Sequence, residues 1–201
     1  MTFVLGLTGS IATGKSSVAQ IFKEHKIPVI EGDALTHSAQ EKGADGFKAI
    51  VDEFGSEFLT DDGSLDRKKL GKLVFADQSQ LQRLERVLDP IIRLKIQKEL
   101  ENFKKSQVPL VVVELPLLFE KNYEEMMNQI MVSYLPYELE LKRLMMRDNL
   151  KEEEAKKRIR LQETIELKRL RADVVIYNSE SFAKTKKQVE TWLHFLNKEY
   201  K

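Results

Sequence analysis

The chain has 201 residues, no cysteine, and 33 Lys and Arg against 32 Asp and Glu, for a formal net charge of +1. The absence of thiols excludes disulfides, thiolate metal sites and cysteine nucleophiles, and the balanced charge favours neither nucleic acid nor a membrane surface as a partner. The length suits one compact domain with a sizeable core, and no segment approaches the roughly 18 apolar residues of a membrane span, so we expect a cytoplasmic protein.

The first predicted elements are a strand and a helix joined by a glycine-rich loop. Phe3–Thr8 is apolar, residues 9–16 read GSIATGKS, and an amphipathic segment with Val18, Ile21 and Phe22 follows at once. The apolar run is too short for a signal peptide and has no basic residues before it. The pattern G-x-x-x-x-G-K-S between a strand and a helix indicates a phosphate-binding loop rather than an ordinary glycine turn with an exposed lysine.

This loop predicts a nucleotide site. Glycines allow the backbone amides to approach phosphate closely at the positive end of a helix. Lys15 can then reach the β- and γ-phosphates of ATP, and the Ser16 hydroxyl can ligate Mg²⁺, the expected cofactor. The residues that we expect to bind the nucleotide are Gly9, Ala12, Thr13, Gly14, Lys15, Ser16 and Ser17.

A second strand, at residues 28–30, leads into the acidic segment Glu31-Gly32-Asp33. Ligands of open α/β sheets bind beyond the carboxyl ends of the strands, so this strand should bring Asp33 to the same rim as the loop. Asp33 is either the N-cap of a helix that starts near Ala34 or a catalytic group. In the second case it is the general base for an acceptor hydroxyl or an indirect partner of Mg²⁺. Its place at the rim favours the catalytic role.

Residues 34–100 have the apolar periodicity of helices, with a turn at 60–63 and a long helix that Asp77 caps and Pro90 breaks or kinks. One crossover helix suffices to join two parallel strands, so the surplus predicts an acceptor-binding insertion at about 34–106. A purely structural helical lobe is the alternative. Arg67 is a candidate acceptor contact within this insertion.

Three further strands are predicted, at residues 109–114, 129–134 and 172–178, before a closing helix that carries Trp192 in the core. The first of them is the most apolar and is expected at the centre of the sheet, with Glu114 at its end as a possible partner of Mg²⁺. The apolar loop after it either lines an acceptor pocket through Leu117 or covers the sheet. The expected fold is α/β, a five-stranded parallel sheet flanked by helices.

A charge-rich segment separates the last two strands. Residues 142–171 contain 11 basic and 6 acidic residues and should form a helix followed by a second helix from Glu153 to Arg171. Such a pair is commonly a solvated face, but beside a phosphate-binding loop it also resembles a lid whose arginines clamp the transferred phosphoryl group. Arg143 and Arg147 lie four residues apart on one helix face and are the candidates. The predicted division of the single domain 1–201 is a core at about 1–33, 107–138 and 172–201, the insertion, and a lid at about 139–171.

Seven segments together resemble the dephospho-coenzyme A kinase family, a group of P-loop kinases, in register along nearly the whole chain. They are GSIATGKS at 9–16, EGD at 31–33, LDR at 65–67, PLLFE at 116–120, KRL at 142–144 with Arg147, Arg158 with Gln162, and ADVVIYN at 172–178. The resemblance implies ATP-dependent phosphorylation of the ribose 3′-hydroxyl of dephospho-coenzyme A, the last step of coenzyme A synthesis. It also implies that Asp33 is the base, that Arg143 stabilises the transferred charge, and that the insertion is the coenzyme A domain.

Four positions depart from that family's common residues: Ser10 for Gly, Glu31 for Asp, Asp89 for His, and Glu140 for Gln. The last two carry no assigned role. The resemblance implies ATP and dephospho-coenzyme A as partners, and we expect neither nucleic acid nor a membrane, with a monomer or a weak homo-oligomer. The alternatives are a nucleoside monophosphate or other small-molecule kinase and a nucleotide-switch binding module, although the chain has no Asn-Lys-x-Asp guanine-reading motif.

Overall fold

The computed structural model describes residues 2–199, apart from the side chains of Phe75, Asn197 and Glu199. The chain forms two compact units, one of Met1–Ile30 with Gln107–Lys201 and one of Glu31–Ser106. Across residues 2–199, no helix has both the length and the apolar character needed to cross a membrane.

A parallel sheet of five strands organises the first unit within the described residues. The strands are β1 (Phe3–Thr8), β2 (Val29–Glu31), β3 (Leu110–Glu114), β4 (Gln129–Tyr134) and β5 (Val174–Tyr177), in the order β2-β3-β1-β4-β5. β1 pairs in parallel with β3 and β4, and β4 pairs in parallel with β5. The predicted fold class is therefore confirmed.

The middle strand of this sheet is β1, and all six of its residues are buried. The expectation that β3 lies at the centre is wrong, since β3 lies between β1 and β2. Both strands are interior and almost wholly apolar, and such a run indicates burial on both faces without indicating which strand has which neighbour. The phosphate-binding loop thus follows the middle strand.

Nine helices occur in the described residues: α1 (Lys15–Glu24), α2 (Gly32–Ala39), α3 (Asp45–Phe54), α4 (Arg67–Ala76), α5 (Gln78–Lys105), α6 (Tyr137–Asp148), α7 (Glu152–Ile159), α8 (Ile165–Arg171) and α9 (Phe182–Glu199). Short 3₁₀ turns occupy Ser56–Phe58 and Glu124–Met126. Helices α2 to α5 belong to the second unit and the others to the first.

The core of the first unit lies between the sheet and the helices α1 and α9. Val18, Ile21 and Phe22 are fully buried, which matches the apolar face predicted for α1. Trp192 of α9 is partly buried against this core, with its ring centroid 6.4 Å from that of Phe3 and 6.0 Å from that of Phe22. The tryptophan therefore has the packing role expected for it.

The second unit is a helical assembly with its own apolar core. The buried members of that core are Ile50, Phe54, Phe58, Leu65, Leu70, Val74 and Leu88. Asp77 caps α5 as predicted, because its carboxylate accepts a hydrogen bond of 2.8 Å from the Ser79 amide. Of the two alternatives predicted for Pro90, a break is wrong, because Pro90 lies inside the 28-residue helix α5. Packing of its buried face stabilises the helix despite the lost backbone hydrogen bond.

The segment predicted as one helix from Glu153 to Arg171 contains two, α7 and α8. Thr164 starts the second, because its hydroxyl accepts a hydrogen bond of 3.4 Å from the Leu167 amide. Before these two helices, Asn149 ends α6 in a left-handed conformation, with φ 51°. The sequence signal for this second helix was Thr164, an N-cap residue within a charged segment, and it was not recognised.

Candidate active site

The phosphate-binding loop has a shape that requires glycine at two positions. At Gly9, an added Cβ atom would lie 2.6 Å from the Ser133 carbonyl oxygen. At Gly14, φ is +89° and an added Cβ would lie 1.9 Å from Nδ2 of Asn178. These distances are far below van der Waals contact, so the two glycines of the motif are explained by the close approach of neighbouring chain.

The far side of the loop is fixed by residues near the ends of β4 and β5. The Asn178 amide donates to the Thr13 carbonyl at 2.9 Å, and the Ser133 hydroxyl donates to the same oxygen at 2.9 Å. Thr185 in turn donates to Oδ1 of Asn178 at 2.8 Å. Sequence reasoning missed this role of Asn178, for which the only signal was a polar residue directly after an apolar strand.

Lys15 lies over the loop that carries it. Its ammonium donates to the carbonyl oxygens of Gly9 and Ser10, at 3.2 Å and 2.9 Å. The Ile11 amide donates to Oε1 of Gln162, between α7 and α8, at 2.9 Å. The loop is therefore held both by its own lysine and by the segment that joins two charge-rich helices.

Next to the loop is a cavity of about 550 Å³. Its lining consists of Ala12, Gly14, Lys15, Ser16, Arg143, Met146 and Arg147. All of these except Met146 were predicted for nucleotide or phosphoryl contacts. Three of the six predicted residues, Lys15, Arg143 and Arg147, carry positive charge, so the cavity suits a polyanion.

Each arginine of the cavity is tied to a neighbour. Arg143 is partly buried and donates through Nη2 to the Asn178 carbonyl at 2.9 Å. Arg147 donates through Nε to Asp148 at 2.7 Å, and Arg158 donates to the same carboxylate at 3.0 Å. These contacts, that of Arg147 above all, hold the pKa of the Asp148 carboxyl below its ordinary value. Asp148 therefore holds both Arg147 and Arg158 in place, while its single negative charge offsets only one of their two positive charges.

The other predicted residues of the first unit lie in or near the loop. Gly9 and Thr13 belong to the loop itself, and Ser17 is exposed in the first turn of α1. Leu117 is partly buried in the segment after β3. Ser16 is exposed at the start of α1, and its hydroxyl oxygen is the kind of ligand that Mg²⁺ binds in proteins.

Asp33 and Arg67 belong to the second unit. Asp33 is exposed in the first turn of α2, and the N-cap position of that helix is Glu31. The N-cap interpretation of Asp33 is therefore wrong, because the helix starts before this residue. Arg67 donates to the His37 carbonyl at 2.9 Å, and its Nη1 lies 2.6 Å from Nδ1 of the same histidine.

Beneath the loop lies a buried cluster of charges that sequence reasoning did not find. Glu140 of α6 is fully buried and accepts a short hydrogen bond from the Ser10 hydroxyl. Lys168 of α8 is also fully buried, and its ammonium donates to the Pro116 carbonyl at 2.7 Å and lies 2.9 Å from Oε1 of Glu120. Burial raises the pKa of the Glu140 carboxyl, while the Ser10 hydrogen bond and the charges of Lys15 and Lys168 act in the opposite direction.

Comparison with known proteins identifies the family. A family model described as dephospho-CoA kinase matches residues 3–184. The dephospho-CoA kinase of Enterococcus faecalis is 44% identical over 193 residues, which cover 96% of each chain. That of Latilactobacillus sakei is 45% identical over 193 residues, 96% of this chain and 95% of the relative.

A solved structure gives the same result. The dephospho-CoA kinase from Campylobacter jejuni is 33% identical, with a TM-score of 0.75 and coverage of 99% of both chains. The acceptor named for these relatives favours dephospho-coenzyme A over the alternative acceptors and over a nucleotide switch. The chain therefore belongs to the dephospho-CoA kinase family, and its function is the ATP-dependent phosphorylation of dephospho-coenzyme A in coenzyme A synthesis.

Proposed function

We propose that Lys15 and the amides of the loop hold the β- and γ-phosphates of ATP, while Arg143 neutralises charge on the phosphoryl group during in-line transfer. The observation that carries this proposal is the cavity of about 550 Å³ that Lys15, Ser16 and Arg143 line together. Donors fixed before the reaction stabilise developing charge without reorganising, and Arg143 is fixed by its bond to the Asn178 carbonyl. Arg147, which lines the same cavity, is proposed as a second contact for the phosphates.

The residues of this cavity also suit Mg²⁺. Ser16 lines it beside Lys15, and Mg²⁺ in kinase sites commonly has one or two protein ligands besides phosphates and water. Mg²⁺ bound there would neutralise part of the phosphate charge. We assign its protein ligand to the hydroxyl of Ser16, which lies in the first turn of α1 directly after the loop.

On the acceptor side, we propose that Asp33 orients the ribose 3′-hydroxyl and accepts its proton. Asp33 is exposed in the first turn of α2, two residues after the end of β2. A general base must be accessible to its substrate, and an exposed carboxylate meets that requirement. We further propose that the unit Glu31–Ser106 supplies acceptor contacts, with Arg67 among them and Leu117 from the other unit, and that residues 139–171 act as the lid.

The decisive experiment is the variant Asp33→Asn, which removes the base but keeps the size of the side chain. We expect kcat to fall by about 10² to 10⁴, the usual contribution of a general base, with little change in the KM for ATP. The matched control is Asp45→Asn, because Asp45 is also an exposed aspartate in the first turn of a helix. Steady-state kinetics with both substrates varied gives the result, and a near-normal kcat for Asp33→Asn would remove Asp33 from the mechanism.

Three related expectations need their own measurements. Phosphorylation assays with dephospho-coenzyme A and nucleoside monophosphates offered side by side test the acceptor preference directly. A monomer or weak homo-oligomer is expected in light scattering. A cytoplasmic location is expected in cell fractionation.

A further inference from the structure

We infer that Glu140 is a positioning residue for the ATP site: its buried side chain holds Ser10 and thereby fixes the loop carbonyls on which the Lys15 ammonium rests. This inference rests on the proposed role of the loop in binding ATP. It assigns a function to a residue that is not among those lining the cavity.

Ser10 makes hydrogen bonds through both its side chain and its backbone. Its hydroxyl donates to Oε1 of Glu140, and both side chains are fully buried. Its carbonyl accepts hydrogen bonds from the Lys15 ammonium at 2.9 Å and from the Thr13 hydroxyl at 2.8 Å. Glu140 therefore holds the residue whose carbonyl oxygen is hydrogen-bonded to both Lys15 and Thr13.

The burial of Glu140 makes this contact specific. Its side chain lies in α6, three residues before Arg143, and among the described residues its Oε2 atom has no hydrogen-bond partner. A buried carboxyl group is costly to keep, and Ser10 supplies the hydrogen bond that offsets part of that cost. Loss of either partner should leave the other buried and unsatisfied, and the loop would then occupy additional conformations.

The contact between Ser10 and Glu140 joins residues that lie 130 positions apart in the chain. This contact also ties the loop to the helix that carries Arg143, so it links two of the three positive groups of the cavity, Lys15 and Arg143.

The test compares variants that keep or remove the hydrogen-bond acceptor. Glu140→Leu should weaken binding of the non-hydrolysable ATP analogue AMP-PNP by about tenfold, since fewer molecules hold the loop in its binding conformation. Glu140→Gln keeps an oxygen acceptor for Ser10 and should bind within about twofold of the unaltered enzyme. Calorimetry measures Kd, and kinetics should show the same rise in the KM for ATP without a change in the KM for dephospho-coenzyme A.

Ser10→Ala supplies an independent arm, because it removes one oxygen atom and disturbs packing little. We expect about the same tenfold loss, and the double variant Ser10→Ala with Glu140→Leu should be no weaker than either single variant, as neighbours acting through one contact are not additive. The control is Glu138→Leu, on the same helix but exposed, which should leave Kd unchanged.

The variant Lys15→Ala distinguishes failure of the proposed ATP site from failure of the positioning role of Glu140. If that variant binds AMP-PNP normally, the proposed ATP site itself is wrong. If Lys15→Ala weakens binding but Glu140→Leu and Ser10→Ala do not, the positioning role is overturned. A lower melting temperature with unchanged Kd in the Glu140 variants has the same meaning, since Glu140 would then only stabilise α6.

Discussion

Gly14 has a neighbour that leaves no room for a side chain. The 1.9 Å between its hypothetical Cβ and Nδ2 of Asn178 exists because that amide also donates to the Thr13 carbonyl. The absence of a side chain therefore permits the hydrogen bond that holds the loop. Backbone freedom alone would explain less, since Gly43 has a similar φ of +85° with nothing within 4 Å of its Cβ position.

The two glycines make a matched pair for mutation. Gly14→Ala should lower the free energy of unfolding by about 3 kcal/mol, from left-handed strain and the displaced Asn178, and should abolish most activity. Gly43→Ala should lower it by about 1 kcal/mol, from strain alone, with activity retained. Urea unfolding and kinetics measure both, and equal losses in the two variants would show that the contact with Asn178 is unimportant.

At the scale of single residues, the sequence predicted the members of the phosphate-binding loop but not the distant side chains that hold the loop in place. Lys15 and Ser16 were predicted from a motif of eight residues and Arg143 from a charged helix face, and all three line the same cavity. The partners of the loop are distant in the chain, with Gln162 and Asn178 lying 151 and 165 residues from the residues that they hold. No periodicity reports which distant polar side chain will meet a given loop, so such contacts appear only with the fold.

Among the elements, α8 depends on a single buried cation. Lys168 is fully buried, and it connects this helix to the segment after β3 through the Pro116 carbonyl and Glu120. Glu120 also accepts a hydrogen bond of 2.9 Å from the Glu163 amide just before the helix. The position of the helix is thereby set by hydrogen bonds in addition to its apolar contacts.

Removal of this lysine should be costly. Lys168→Met leaves the Glu120 carboxylate without its cation, and we expect about 3 kcal/mol less stability in urea unfolding. The control is Lys184→Met, which breaks an exposed pair with Glu180 and should cost less than about 0.5 kcal/mol. Adding Glu120→Gln to Lys168→Met should restore part of the loss, and a double variant less stable than the single one would contradict the unpaired-charge explanation.

Element prediction succeeded where hydrophobic period and length were unambiguous. β4 lies at the predicted residues, β5 differs from its prediction only at its ends, and α1 has the predicted apolar face. The failures, at Pro90 and at Thr164, arose where a local signal competed with packing. At Pro90, packing overrode a helix breaker, whereas at Thr164 a cap divided a segment whose charge pattern suggested continuity.

On the scale of the whole molecule, the residues proposed for ATP and most of those proposed for the acceptor belong to different units. Those proposed for ATP lie in the first unit, as does Leu117, whereas Asp33 and Arg67 lie in the second. The sequence predicted a helical insertion between the second and third strands from its length alone. It could not identify acceptor contacts there, because helical apolar stripes report packing and not binding.

This division predicts separable kinetic effects. Arg67→Ala should raise the KM for dephospho-coenzyme A by about tenfold, as expected for loss of one charge-assisted hydrogen bond to a phosphate, and leave the KM for ATP unchanged. Lys68→Ala is the control, since Lys68 is the adjacent exposed basic residue. An increase in the KM for ATP alone would assign Arg67 to the other substrate.

The position of Asn178 has a consequence for how the enzyme loses activity. Asn178 directly follows β5, an outer strand of the sheet, whereas the strand that leads into the loop is the middle one. Outer strands fray before inner ones, since they have a neighbour on one side only. On warming, β5 should therefore detach before the inner strands. Asn178 would then release Thr13 and Arg143, and activity would be lost while the interior of the domain is still folded.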